Sequence, residues 1–167
     1  MQNRGSPTDR IASPQRIFVT YMTDGSMVER LIGAWKLREW SEIRPGGNKS
    51  YPLGQDAIGQ LLYTPDGHMA AQLVRINREK FVSDDWRKAS ITEASRAFLE
   101  YFGYFGVYEV DLPALTVIHH VKGSWFPNVE GGDQLRHFRL QGELLVLDAD
   151  TSWGAVRIVW AKPRAMG

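Results

Sequence analysis

The sequence predicts an all-β fold, a closed antiparallel barrel of about eight strands with one short helix. Three observations predict it. Apolar-rich segments of strand length follow one another with turn residues between them. Their connections are mostly short enough for successive hairpins. One stretch alone carries helical spacing of its apolar residues. A chain of 167 residues, 43% hydrophobic and 23% charged, fits one globular domain that closes its own core.

Residues 1–26 hold Arg4, Gly5, Ser6, Pro7, Ser13 and Pro14 around one short apolar patch from Ile17 to Tyr21. Such a segment buries too little to offset its ordering entropy, so it is expected to be a flexible tail, with 27–167 as the barrel domain. Ile32 to Ile43 reads as a long strand, ended by the breakers Arg44 to Asn48. Ile58 to Tyr63 and His68 to Ile76 flank Thr64-Pro65-Asp66-Gly67, a turn with proline in its favoured slot, and so form a hairpin. Asn77 to Ser90 is polar and irregular. Ile91 to Phe102 places apolar residues at 91, 94, 97, 98, 101 and 102, which is helical spacing, with Thr92 as the candidate N-cap. Strands follow at Gly103 to Val110 and Ala114 to Lys122, separated by Asp111-Leu112-Pro113. Ser124 to Gly132 is a loop. Asp133 to Leu140 and Glu143 to Leu147 flank a Gln141-Gly142 turn, and Gly154 to Lys162 is the last strand. A barrel of about eight strands leaves room inside for side chains or for one small ligand.

Composition narrows the function. The net charge is +1 with no basic stripe, which speaks against a nucleic-acid partner. There is no cysteine, so disulfides and thiolate chemistry are excluded. No apolar run is long enough to span a bilayer, and the polar start lacks the apolar stretch of a secretory signal. No membrane partner and a cytoplasmic location are therefore expected. No glycine-rich phosphate loop or nucleophile elbow occurs, so no cofactor is expected. The four histidines lack chelating spacing, so no metal site is expected either. The oligomeric state stays open, a homodimer included.

Gly33-Ala34-Trp35 opens the first long strand. Tyr63 to Gln72 (YTPDGHMAAQ), Gly106 to Val110 (GVYEV), His119-His120, Ser124 to Asn128 (SWFPN) and Asp133 to Arg136 (DQLR) follow it. Together these motifs resemble the bacterial and fungal lipocalin-like domain family, over roughly residues 30–162. The resemblance implies a small barrel related to the calycins. It also implies a structural closure of one barrel end, with Trp35 inside and a basic residue, here Arg157, lying over it. Some lipocalin-like barrels act as cyclases or isomerases in natural-product pathways, but no catalytic residue carries over from the family.

Alternation along the strands nominates the site residues. Glu39 shares a face with Trp35 and Leu37, which puts it in or near the hollow. Gln72 either points inward to a ligand or satisfies a neighbour. His119 and His120 face opposite ways, and the more apolar neighbours Val117 and Val121 favour His119 as the buried one without deciding it. A neutral imidazole beside a carboxylate could move a proton near neutral pH. Gln134 and Arg136 share a face with apolar residues. Arg136 there needs either an internal carboxylate or a ligand carboxylate. Tyr108, Trp125 and Phe126 supply aromatic lining, the last two near the mouth. His137 is expected outside and His68 in its turn.

Two functions follow from these residues. In the first, the barrel binds a small, largely hydrophobic molecule. In the second it is a cofactor-independent isomerase, cyclase or dehydratase acting on an apolar carbonyl compound. There His119 or His120 with Glu39 would move protons, and Arg136, Gln72 or a Tyr would polarise the carbonyl.

Overall fold

The computed structural model describes residues 24–163, positions 45 and 153 excepted. The expected tail falls on residues 1–23, outside the described residues, and its last three positions begin a helix, α1 (Asp24–Leu31), that the sequence reading did not anticipate. The strands are β1 (Gly33–Ile43), β2 (Lys49–Ser50), β3 (Ile58–Tyr63), β4 (His68–Val74), β5 (Tyr101–Asp111), β6 (Thr116–Ser124), β7 (Asp133–Gln141), β8 (Leu144–Thr151) and β9 (Gly154–Ala161). A second helix, α2 (Ile91–Leu99), lies between β4 and β5. Sequential antiparallel neighbours run from β3 to β9, β1 pairs with both β3 and β9, and the sheet closes. Eight strands form the ring, and β2 is a short addition beside the end of β1.

Closure depends on an irregularity in β1. Its partners on β9 run Lys36↔Ala161 and Leu37↔Trp160, then skip Arg38 and resume at Glu39↔Val159. One extra residue reverses the faces of everything after it. Trp35 and Leu37 point inward below the bulge, and Trp40 and Glu42 take the inner face above it. This corrects the alternation expected for Glu39, which lands on the outer face. In β4 the inner set is Met69, Ala71 and Leu73, so Gln72 is exposed on the outside.

Glycine permits two close approaches in the wall. A Cβ on Gly106 would sit 2.0 Å from the His120 carbonyl oxygen, where β6 shifts register against β5. Gly154, at φ 136°, would place one 2.4 Å from the Ile43 oxygen where β9 meets β1. Both contacts are shorter than any carbon can accept.

Helix α2 starts one residue earlier than its expected cap. Ser90, not Thr92, is the N-cap, and it forms a reciprocal box with Glu93. Glu93 also accepts the Val82 amide at 2.8 Å, which ties the preceding loop to the helix. These hydrogen bonds, led by the one from Ser90, hold its carboxyl down to about 2. The helix stops at Leu99 because Tyr101 and Phe102 pair with Val74 and Leu73. Aromatic side chains on a half-buried strand outweigh their helical spacing. The β7–β8 turn is Gly142-Glu143, one residue later than expected, since Gln141 pairs with Leu144.

One barrel end is plugged. Leu31 of α1 is fully buried, and the Trp35 indole N–H donates to its carbonyl at 2.7 Å. Lys162 donates to the Ile32 carbonyl at 2.7 Å and lies 4.0 Å from the Trp35 ring centroid. Lys162 therefore takes the role expected of Arg157, which faces outward and pairs with Asp148 at 2.7 Å. The alternation of β9 explains the exchange, since Ile158 and Trp160 point in and Arg157 points out.

Lys162→Met should keep the stem but lose the cation–π contact and the charged hydrogen bond. A loss of about 1–2 kcal/mol is expected in urea unfolding. Stability equal to the native chain would show that this closure contributes nothing.

Candidate functional site

The opposite barrel end opens into a cavity of about 480 Å³. Its wall is mostly apolar: Trp40 from β1, Leu53 from the loop after β2, Phe102 from β5, and Val156 and Ile158 from β9. Trp125 and Phe126 border it from the loop after β6, in the position expected of them. Trp125 stacks on Phe98 of α2 with centroids 4.9 Å apart and donates its indole N–H to the Phe98 carbonyl at 2.8 Å. The rim of the mouth is thus pinned to the helix.

Few polar side chains reach this wall. Gln134 and Arg136 come from β7, whose inward positions are 134, 136, 138 and 140. Arg136 donates to the Leu135 carbonyl at 2.8 Å and to the Gln134 side-chain oxygen at 3.3 Å. Among the described residues no carboxylate lies within ion-pair distance of it, so the internal ion pair that the sequence left open is not made. Glu42 also borders the cavity, at the stretch of β1 that pairs with β2. Tyr101 and Tyr104 of β5 and Thr151 of β8 are its other polar residues, with the Arg136 guanidinium beside the Tyr104 hydroxyl.

Behind Tyr104 lies the group that the sequence could not assemble. His119 faces inward and is 1% exposed. Its Nδ1 is 2.8 Å from the Tyr104 hydroxyl, and its Nε2 is 2.7 Å from the Tyr63 hydroxyl. Tyr63 and Tyr104 are themselves buried, and burial raises both phenols above their ordinary value. Burial, reinforced by the charge of Arg136, lowers His119 to about 3, so its imidazole is neutral. His119 is absent from the cavity wall and reaches it only through Tyr104.

The other nominated residues lie apart. His120 faces outward, with Nδ1 2.6 Å from Asp133 and Nε2 3.5 Å from Glu109. Glu39 is on the outer surface, bonded to Lys49 and Ser41 at 2.8 Å each, and those bonds lower its pKa. Gln72 is outside as well. Tyr108 points inward but nearer the plugged end, where it donates to the Thr64 carbonyl at 2.9 Å and packs on Tyr63. The proposed partnership of a histidine with Glu39 is therefore not assembled: the β1 bulge leaves Glu39 outside the wall and His119 inside it, and His120, also outside, is engaged by Asp133 and Glu109 instead.

The barrel is plugged at the Gly33-Ala34-Trp35 end and hollow at the other. The model of the lipocalin-like domain matches residues 32–162. The chain belongs to the lipocalin-like domain family. No curated protein matches the sequence. The lipocalin-like barrel supports small-molecule binding. No helix among the described residues is long and apolar enough to cross a membrane.

The buried imidazole carries a pH signature. His119 titrates near 6.5 when unfolded and at about 3 when folded. Between those values the unfolded chain binds the extra proton, so stability falls as pH falls through this window. One such group contributes a slope of up to about 1.4 kcal/mol per pH unit. Urea unfolding at several pH values between roughly 6.5 and 4.5 should show this slope, and His119→Gln should flatten it. A flat native profile would contradict the burial of a neutral His119.

Proposed function

We propose that the protein binds one small, largely apolar molecule inside the open half of its barrel. The observation that carries this reading is the contrast within one hollow. Its walls are aromatic and aliphatic, while the polar groups Arg136, Gln134 and Tyr104 cluster on neighbouring inward positions. Ligand sites commonly fall in this volume range and combine apolar lining with a few polar groups that fix orientation. An unpaired, partly buried guanidinium is costly for a barrel with nothing to bind.

The second reading is a cofactor-independent isomerase, cyclase or dehydratase working on an apolar carbonyl compound in the same hollow. The Tyr104 hydroxyl, backed by His119 and flanked by Arg136, favours it, because such a pair could stabilise charge on a carbonyl oxygen. The separation of Glu39 and Gln72 from the cavity weighs for the binding reading.

The neutral fluorophore N-phenyl-1-naphthylamine tests the proposal. It should bind with one site per chain, and Val156→Trp, which fills the cavity from β9, should weaken it by about tenfold or more, ~1.4 kcal/mol. Binding that ignores this substitution in a folded variant would place the probe elsewhere and remove the reading.

A further inference from the structure

We infer that the cavity selects a ligand whose polar end accepts hydrogen bonds and donates none, a carboxylate or ketone oxygen. Tyr104 and Arg136 are its donors, and Tyr63 and His119 are positioning residues behind them. The inference rests on the proposed binding of an apolar molecule and adds the chemistry of its polar end.

The argument starts at the deepest group. The Tyr63 hydroxyl belongs to a residue 1% exposed, and its one hydrogen-bond partner among the described residues is His119 Nε2 at 2.7 Å. A phenol proton sealed in a core needs an acceptor. Neutral imidazole offers one N–H and one lone pair. If Nε2 carried the proton, two donors would meet there and the Tyr63 proton would be stranded. Nε2 therefore accepts from Tyr63, and Nδ1 carries the proton. Nδ1–H then donates to the Tyr104 oxygen across 2.8 Å.

This orders the next hydroxyl in turn. The Tyr104 oxygen receives from His119, and the adjacent Arg136 is also a pure donor. No described residue accepts the proton of Tyr104, and Tyr104 borders the cavity. Its O–H is thus left for a ligand. The side-chain oxygen of Gln134 is already engaged by Arg136. The Trp40 indole N–H, on a residue of the same wall, is buried without a partner. The unpartnered donors of Tyr104 and Trp40 and the Arg136 cation, in a mostly apolar hollow, favour an acceptor oxygen and oppose an ammonium head. Glu42 is the one carboxylate on the wall, and no ion pair joins it to Arg136.

Displacement of N-phenyl-1-naphthylamine by decanoate, 2-decanone, 1-decanol and decylammonium tests the selection. Decanoate and 2-decanone should bind at least about tenfold more tightly than decylammonium. Tyr104→Phe should shrink that ratio. Tyr63→Phe, three hydrogen bonds from the ligand, should shrink it too, by freeing the tautomer. In the native chain, ¹⁵N NMR of labelled histidine should show His119 protonated at Nδ1 and bare at Nε2, and this readout needs no variant to fold. The opposite tautomer, or equal affinity for all four heads, would overturn the inference. Failure of the fluorophore to enter would sink the binding proposal and this one together, whereas entry without discrimination sinks only this one.

Discussion

The pairing of β1 with β9, with Arg38 as an unmatched residue, decides what this barrel holds. A strand alternates its faces with period two, so one inserted residue exchanges inside for outside. Below the bulge, β1 contributes Trp35 and Leu37 to the plugged end. Above it, the same strand turns Trp40 toward the hollow and sends Glu39 and Ser41 to the outer face, where Ser41 is covered. A continuous register would instead put Glu39 inside, where it would lose its bond to Lys49. The division into a sealed half and a mostly apolar open half follows from that one residue.

The two halves meet at a buried polar relay. Tyr63 and Tyr108 pack together nearer the sealed end, and Tyr104 stands at the floor of the cavity. His119 bridges the two levels with both ring nitrogens satisfied. Buried polar groups are tolerable when every partner is supplied, and they then fix one arrangement of the core. The cavity wall ends in Arg136 and Tyr104, whose charge and proton find no full match among the described residues.

Much of the fold is legible in the sequence because local chemistry determines it. The Thr64 to Gly67 turn fixes the β3–β4 hairpin, and Gly142 marks the β7–β8 hairpin to within one residue. The wall residues Gln134, Arg136, Trp125 and Phe126 are readable too, since β7 alternates regularly and the loop after β6 is compact. The facing of His119 is foreshadowed by Val117 and Val121 on its side. Other features have no local signal. A bulge leaves no mark in the composition of β1. In β4, Ala70 and Ala71 are equally small and apolar, so alternation gives Gln72 no clear side. Helix α1 begins at Asp-Gly-Ser and owes its place to the burial of Leu31 over the barrel end. The Tyr63–His119–Tyr104 cluster joins three strands through side chains far apart in the chain, and only the closed sheet brings them together.

The central claim is that an apolar guest occupies the hollow between β1, β5, β7 and β9. Intermolecular nuclear Overhauser contacts between a bound neutral naphthylamine and methyl-labelled protein test it most directly. The account predicts contacts to the Val156 and Ile158 methyls inside the cavity. Contacts confined to exterior methyls such as those of Ile58 and Val82, both exposed on the outside, would contradict it.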